Sequence, residues 1–302
     1  MQIIALNSTK WHNMVMLQII ALVLIAGFSG IYFLQDKLIF YPQKLSKDHQ
    51  FHFPAKFKES WWEVDKGVKI HGLHFFPKQE SNEVILYFHG NAGSLDSWGN
   101  VGVELSRLGY HVIVIDYRGY GKSGGSVAPK SLLSDALKIY DIVAKTFAPE
   151  NVIIYGRSIG TPMATHLASQ RKCSKVVLET PFDTLSSLLS VHYPIVPKFF
   201  LRYHFNNIDR IKDIKAPILI VHGTADQIIP YEIGKTVAEK LTEKDSFITV
   251  ENGGHNNLSN FEAYWQGLKG FLLKDWMYVL FAGRVKMKEF LSKWNRGLLA
   301  LF

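Results

Sequence analysis

Six short runs of β-branched and aromatic residues recur between positions 84 and 252: VILYFHG (84–90), HVIVIDY (111–117), NVIIYG (151–156), KVVLET (175–180), PILIVHG (217–223) and SFITVEN (246–252). A strand with one wet face alternates apolar and polar residues. These runs are nearly continuous in apolar character, as strands covered on both faces are. Between them lie stretches of helical period, clearest over 129–147, where Leu132, Leu133, Ala136, Ile139, Tyr140 and Val143 share one side. Ahead of them, WWEVDKGVKIHGLHFF (61–76) alternates about a turn at Lys66-Gly67 and reads as a hairpin. Strands alternating with helices predict an α/β fold, a mostly parallel sheet of about eight strands with helices on both faces.

One interval breaks the alternation. Residues 184–213 are rich in Leu, Tyr and Phe and read either as an ordinary crossover helix or as a short lid over the sheet's carboxyl edge. At the other end of the chain, Met14 to Leu34 carries no charge. At 1.5 Å per residue this stretch reaches about 31 Å, enough to cross a hydrocarbon core. It has no polar face for a surface helix, and its poor basic flank and length favour an uncleaved anchor over a cleaved signal peptide. Lys37, Lys44 and Lys47 follow the span while only Lys10 precedes it, so the positive-inside rule leans toward a cytoplasmic body. The organisation expected is an anchor over 1–35, a linker over 36–58, a catalytic domain over 59–272 and a basic segment over 273–302.

The formal charge of +8 sits at the ends. Residues 50–273 hold 24 basic and 22 acidic side chains, so the body lacks the basic surface a nucleic-acid partner would require. In the tail, Met287, Phe290, Leu291, Trp294 and Leu298 fall at helical spacing among lysines and arginines, a composition equally suited to a docked terminal helix and to one lying on anionic lipid. The single cysteine, Cys173, excludes an intrachain disulfide framework and a multi-thiolate metal site.

Two serines lie in a G-x-S-x-G pattern. A nucleophile elbow requires a strand running directly into a tight turn and then a helix. NVIIYG-R-SIGTPMATHL meets this at Ser158, with Gly156 and Gly160 leaving room at the bend and Pro162 in the first helical turn. GYGKSGG does not: Ser123 lies five or six residues beyond its strand and is followed by more loop, so it reads as a loop residue near the site mouth. The same stretch imitates a phosphate loop, but Asp116 stands where that motif needs glycine.

A serine hydroxyl needs a base, and the base needs an orienting acid. Asp226 follows the strand PILIVHG and His255 follows SFITVEN, so Ser158, Asp226 and His255 each lie at the carboxyl end of a different strand, the edge where open parallel sheets bind ligands. Glu179 and Asp183 are the competing acids and read as structural. Small residues in HGNAG (89–93) let a backbone N–H enter the site, giving an oxyanion pair of the Asn91 and Ile159 amides, with Gly90 and His89 supporting that loop. His222 reads as support for its own loop. His71 and His74 lie on an alternating strand with no nearby carboxylate helix, and no metal or organic cofactor is expected.

The motifs YFHGNAGS, DYRGYGKSGG, YGRSIG, HGTAD and GGH, in this order over about 59–272, resemble the α/β-hydrolase superfamily, and more narrowly the membrane-anchored α/β-hydrolase-domain proteins and their bacterial relatives. The resemblance implies a serine hydrolase cleaving esters or thioesters of acyl chains, with small-molecule or lipid acyl substrates; membrane lipids are the partner expected from the uncharged span and the basic ends. An aminopeptidase or amidase of the same fold and a non-catalytic membrane scaffold are the rival readings. Thr161-Pro162 departs from the family pattern, which often has a second glycine after the elbow.

Overall fold

The computed structural model describes residues 2–273 apart from position 195, with side chains from Trp11 onward. The tail beyond Leu273, where the basic amphipathic segment was expected, lies outside the described residues. The chain opens with helix α1 (Gln2–Ile39), then β1 (Tyr41–Pro42), β2 (Phe57–Asp65), β3 (Val68–Phe75), β4 (Val84–Phe88) and β5 (Ala92–Gly93). Next come α2 (Leu95–Ser106), β6 (His111–Ile115), α3 (Pro129–Val143), β7 (Val152–Arg157), α4 (Thr161–Ala168) and β8 (Lys175–Glu179). The remainder is α5 (Leu185–His192), α6 (Ile208–Ile211), β9 (Ile218–Gly223), α7 (Tyr231–Ala238), β10 (Ser246–Val250) and α8 (Glu262–Leu272).

The main sheet has eight strands in the order β10-β9-β8-β7-β4-β6-β3-β2. All neighbours run parallel except β2 with β3 and β3 with β6. The hairpin turns at Lys66-Gly67, where Gly67 takes a φ of 75°. Successive residues of the central strands feed two separate cores. Ile85, Tyr87, Val112, Val114 and Tyr155 pack with α2 and α8, while Val84, Leu86, Phe88, Ile113 and Ile154 pack with α3, α4 and α7. That two-sided burial explains why the strands lack polar alternation.

Helix α3 ends at Val143, four residues short of the sequence estimate, and Asp135 joins its buried face. This acid is tolerated there because Arg118 grips it with two bonds, Nε to Oδ2 at 2.6 Å and Nη2 to Oδ1 at 2.7 Å. The 184–213 interval is not one crossover helix. It carries α5, a 3₁₀ turn at Lys198–Phe200 and α6.

Helix α1 continues five residues past Leu34 to Ile39. Its stretch Trp11–Ile39, with a mean hydropathy of 2.4, is long and apolar enough to cross a membrane by length and composition. The residues after it do not hang free as a linker: β1 pairs in parallel with β5, Tyr41 opposite Ala92 and Pro42 opposite Gly93.

Candidate active site

Strand β7 delivers Ser158 directly from its last residue, Arg157, into a 3₁₀ turn that leads into α4. Ser158 adopts a φ of 53°, a left-handed conformation that costs a side-chain-bearing residue on the order of 1–3 kcal/mol and is held only where the surroundings impose it. What imposes it is close packing on both sides. A Cβ on Gly160 would lie 2.1 Å from the carbonyl oxygen of Phe88 at the end of β4, and one on Gly156 would lie 2.7 Å from both the Ala164 Cβ and the Gly160 oxygen. The two glycines let α4 press against β4 and β7, and the serine is pushed out at the bend.

Three side chains from three strand ends converge there. His255 Nε2 stands 3.0 Å from Ser158 Oγ, and His255 Nδ1 stands 2.8 Å from Asp226 Oδ2. In the tautomer these contacts imply, Nδ1–H donates to the carboxylate and Nε2 accepts from the hydroxyl. The other carboxylate oxygen of Asp226 accepts the backbone N–H groups of Ile228 and Ile229 at 2.9 and 2.8 Å. Burial alone would raise the Asp226 carboxyl, but bonds from His222 and His255 outweigh it and hold the group well below the usual carboxylate range. His222 braces the same loop, donating from Nε2 to the Ile229 carbonyl at 2.9 Å.

The HGNAG loop adjoins the serine. A Cβ on Gly90 would sit 3.9 Å from the Ser158 Cβ and 2.9 Å from the Trp98 ring, so only glycine brings the backbone this close. His89 is buried; its Nδ1 donates to the Gly90 carbonyl at 2.6 Å, and its own carbonyl accepts from the Tyr117 hydroxyl at 2.6 Å. The Asn91 side chain points away from the serine's strand to the end of α1, donating to the Ile39 carbonyl at 2.5 Å and accepting from the Tyr120 hydroxyl at 3.2 Å. Ile159 occupies the position after Ser158 in the 3₁₀ turn. Among the described residues no group of three His, Cys, Asp or Glu side chains is placed to hold a metal ion.

Other sequence assignments move. Ser123 is buried and structural: its hydroxyl donates to the Asp116 carbonyl at 2.7 Å and accepts the His71 N–H at 2.8 Å, stitching β3 to the end of β6. Glu179 is structural as expected, but what it supports is the site. It accepts the Tyr155 hydroxyl at 2.6 Å and the Tyr264 hydroxyl at 3.1 Å, and pairs with Arg157 Nε at 3.1 Å. Two residues escaped the sequence reading. Arg157, the variable position before the serine, stacks on Trp98 at 5.0 Å and donates to the main-chain carbonyl of His255. Asn207 is buried, donating to Thr161 Oγ1 at 2.9 Å and to the Phe182 carbonyl at 2.8 Å, and accepting from Thr165 at 2.7 Å. The threonine that departs from the family pattern thus joins the elbow helix to the 184–213 segment. An x position and a lone Asn in an irregular stretch give no pattern by which to find them.

An eight-stranded sheet with this order, a strained serine at a strand-to-helix bend, and Asp and His after later strands define an α/β hydrolase. The family model described as alpha/beta hydrolase fold matches residues 83–204, and one described as TAP-like protein matches 204–274. Alpha/beta hydrolase domain-containing protein 17B of Homo sapiens is 32% identical over 215 residues, covering 70% of this chain and 74% of that protein. The 17C protein of Xenopus tropicalis is 31% identical over 214 residues, covering 70% and 68%. An esterase of Pyrococcus furiosus shares the fold with a TM-score of 0.62 at 19% identity, covering 79% of this chain and 98% of its own. The chain belongs to the α/β-hydrolase superfamily, in its alpha/beta-hydrolase-domain branch, and is a hydrolase.

Proposed function

We propose that the protein is a membrane-anchored serine hydrolase that cleaves carboxylic ester or thioester bonds of apolar acyl substrates. The observation that carries this reading is the relay of 3.0 and 2.8 Å running from a strained serine through an imidazole to an ionised, backbone-braced carboxylate. Ser158 Oγ attacks the acyl carbonyl while its proton passes to His255 Nε2. Asp226 fixes the tautomer and stabilises the imidazolium. The Asn91 and Ile159 amides take the developing oxyanion; loss of one such donor costs about 10²–10³ in rate. The imidazolium then protonates the leaving alcohol or thiol. A water activated by the same imidazole attacks the acyl-enzyme, releases the acid and restores the serine. Helix α1 serves as the anchor, and the 184–213 segment serves as a short lid whose apolar residues favour acyl chains.

The test is labelling by a fluorophosphonate probe in wild type and Ser158→Ala, followed by turnover of a panel of ester chain lengths. The reading expects label in the wild type alone and preference for longer chains. Absence of label would favour a scaffold, amide turnover an amidase, and exclusive activity on small soluble esters would overturn the apolar substrate class.

A further inference from the structure

The 184–213 segment exposes Val191, Tyr193 and Phe199 and is fastened to helix α1. Gln35, buried although polar, uses both ends of its amide on the segment's backbone: Nε2 donates to the Phe200 carbonyl at 2.6 Å and Oε1 accepts the Arg202 N–H at 2.8 Å. Asp36 accepts the Tyr203 hydroxyl at 2.6 Å and pairs with Arg202 at 3.3 Å. Deeper along the helix, Phe28 stacks on Phe200 with ring centroids 5.2 Å apart and planes 13° from parallel. Phe199, its ring 4.7 Å from that of Phe200, is 81% exposed.

These contacts set a depth. Gln35 and Asp36 are the first polar side chains after the uncharged stretch and mark where it leaves the hydrocarbon. Phe28 lies seven residues before Gln35, about 10 Å back along the helix axis. A ring stacked on Phe28 lies at the same level. Resting on the reading of α1 as a membrane anchor, we infer that the turn Lys198–Phe200 dips into the bilayer interface beside α1, with Phe199 in lipid, so that the hydrolase takes acyl groups presented by the membrane itself. Backbone at that depth must find its hydrogen bonds within protein; the Gln35 amide satisfies the Phe200 carbonyl and the Arg202 N–H, and the Phe200 and Leu201 N–H groups donate to the Pro197 and Lys198 carbonyls. Exposed Lys198 and the aromatic pair give the turn the composition of an interfacial element. The patch also adjoins the chemistry. His192 Nε2 donates to the Ile228 carbonyl at 2.8 Å, beside exposed Tyr193, and Ile228 in turn donates its N–H to Asp226.

The test uses the full chain in phosphatidylcholine vesicles, with Cys173→Ser removing the sole native thiol and a spin label carried in turn by Phe199→Cys, Ile25→Cys on the anchor, and Lys215→Cys at the amino end of β9. Collisions with oxygen and with a water-soluble nickel chelate give each label's depth. Position 199 is expected to be oxygen-rich and shielded from nickel, as position 25 is, but shallower than it, at about 5–10 Å below the headgroups. Parity with position 215 would overturn the proposal. Quenching of Phe199→Trp emission by brominated lipid, measured above the native tryptophan background, repeats the test with a smaller change; no added quenching would overturn it. Fluorophosphonate uptake by Ser158 in the same vesicles reports the hydrolase reading separately. Uptake with a water-exposed position 199 defeats only the lipid contact. A lipid-embedded position 199 without uptake upholds the contact and defeats the serine chemistry.

Discussion

The Arg157 guanidinium donates to the main-chain carbonyl of His255 at 2.9 Å, so the residue immediately before the elbow serine also holds the loop that carries His255. The same guanidinium is the counter-charge of buried Glu179. Arg157→Met should therefore destabilise the fold by about 3–5 kcal/mol, because it strands a buried carboxylate. Adding Glu179→Gln should restore most of that stability without restoring the hold on His255. On the proposed ester chemistry, the double variant is expected to keep its KM while losing about 100-fold in kcat, as misplacement of a catalytic group does. Denaturant melts and steady-state kinetics check both halves, and a double variant with wild-type kcat would remove Arg157 from the positioning role.

The φ of 53° at Ser158 is a cost that only glycine escapes. Ser158→Gly and Ser158→Ala should both abolish labelling and turnover. Ser158→Gly should nonetheless be the more stable of the two by about 1 kcal/mol, which for a body of this size raises Tm by about 2–4 °C. Equal melting points would mean that the bend stores no strain.

Gly160→Ala tests the same bend from the helix side. Its Cβ would fall 2.1 Å from the Phe88 carbonyl oxygen, which is backbone and cannot swing aside. A loss of about 3 kcal/mol or more is expected in urea melts, together with loss of labelling. By contrast Gly109→Ala, where nothing lies within 4 Å, should cost only the penalty of its positive φ, about 1–2 kcal/mol, and leave labelling intact.

Acid should weaken the amino edge of the sheet through a histidine pair remote from the serine. His74 Nε2 lies 3.0 Å from His111 Nδ1, and burial, reinforced by the nearby His111 ring, pushes the His74 imidazole down to about 4. Between its unfolded value near 6.5 and about 4 the unfolded chain holds a proton that the folded one refuses, so stability falls as pH drops through this window. The slope attributable to His74 is at most about 1.4 kcal/mol per pH unit. Urea unfolding from pH 7.5 to 4.5 should show a shallower slope in His74→Leu than in wild type. Identical slopes would exclude His74 as its source.

The central strands were legible because burial on two faces removes polar alternation, a signal local to each run. The elbow was legible because its geometry forces glycines to fixed positions around Ser158, and the spacing of HGTAD and ENGGH located Asp226 and His255 at strand ends. What the sequence concealed depends on contacts between distant segments. Arg157 is the unspecified letter of its motif, and its value lies in Glu179, Trp98 and His255, which no local pattern connects to it. Ser123 sat in a convincing loop motif, yet pairing of β3 with β6 buried it. Asp135 is tolerated on the apolar face of α3 because Arg118, from another loop, pairs with it, and nothing local to the helix announces that partner. Residues 36–58 read as a linker because β1 is only two residues long and takes its partner from beyond β4.

That short pairing of Tyr41–Pro42 with Ala92–Gly93, together with the Asn91 amide on the Ile39 carbonyl, joins the apolar helix α1 directly to the hydrolase fold. Trimming the hydrophobic helix at residue 40 to obtain a soluble body would remove the Ile39 carbonyl that Asn91 Nδ2 donates to and leave the two-residue strand Tyr41–Pro42 at a free chain end beside the glycine loop. Kinetics recorded on such a fragment would report a glycine loop with one fewer hold, so the chain with its helix attached is the proper starting material for assigning substrates.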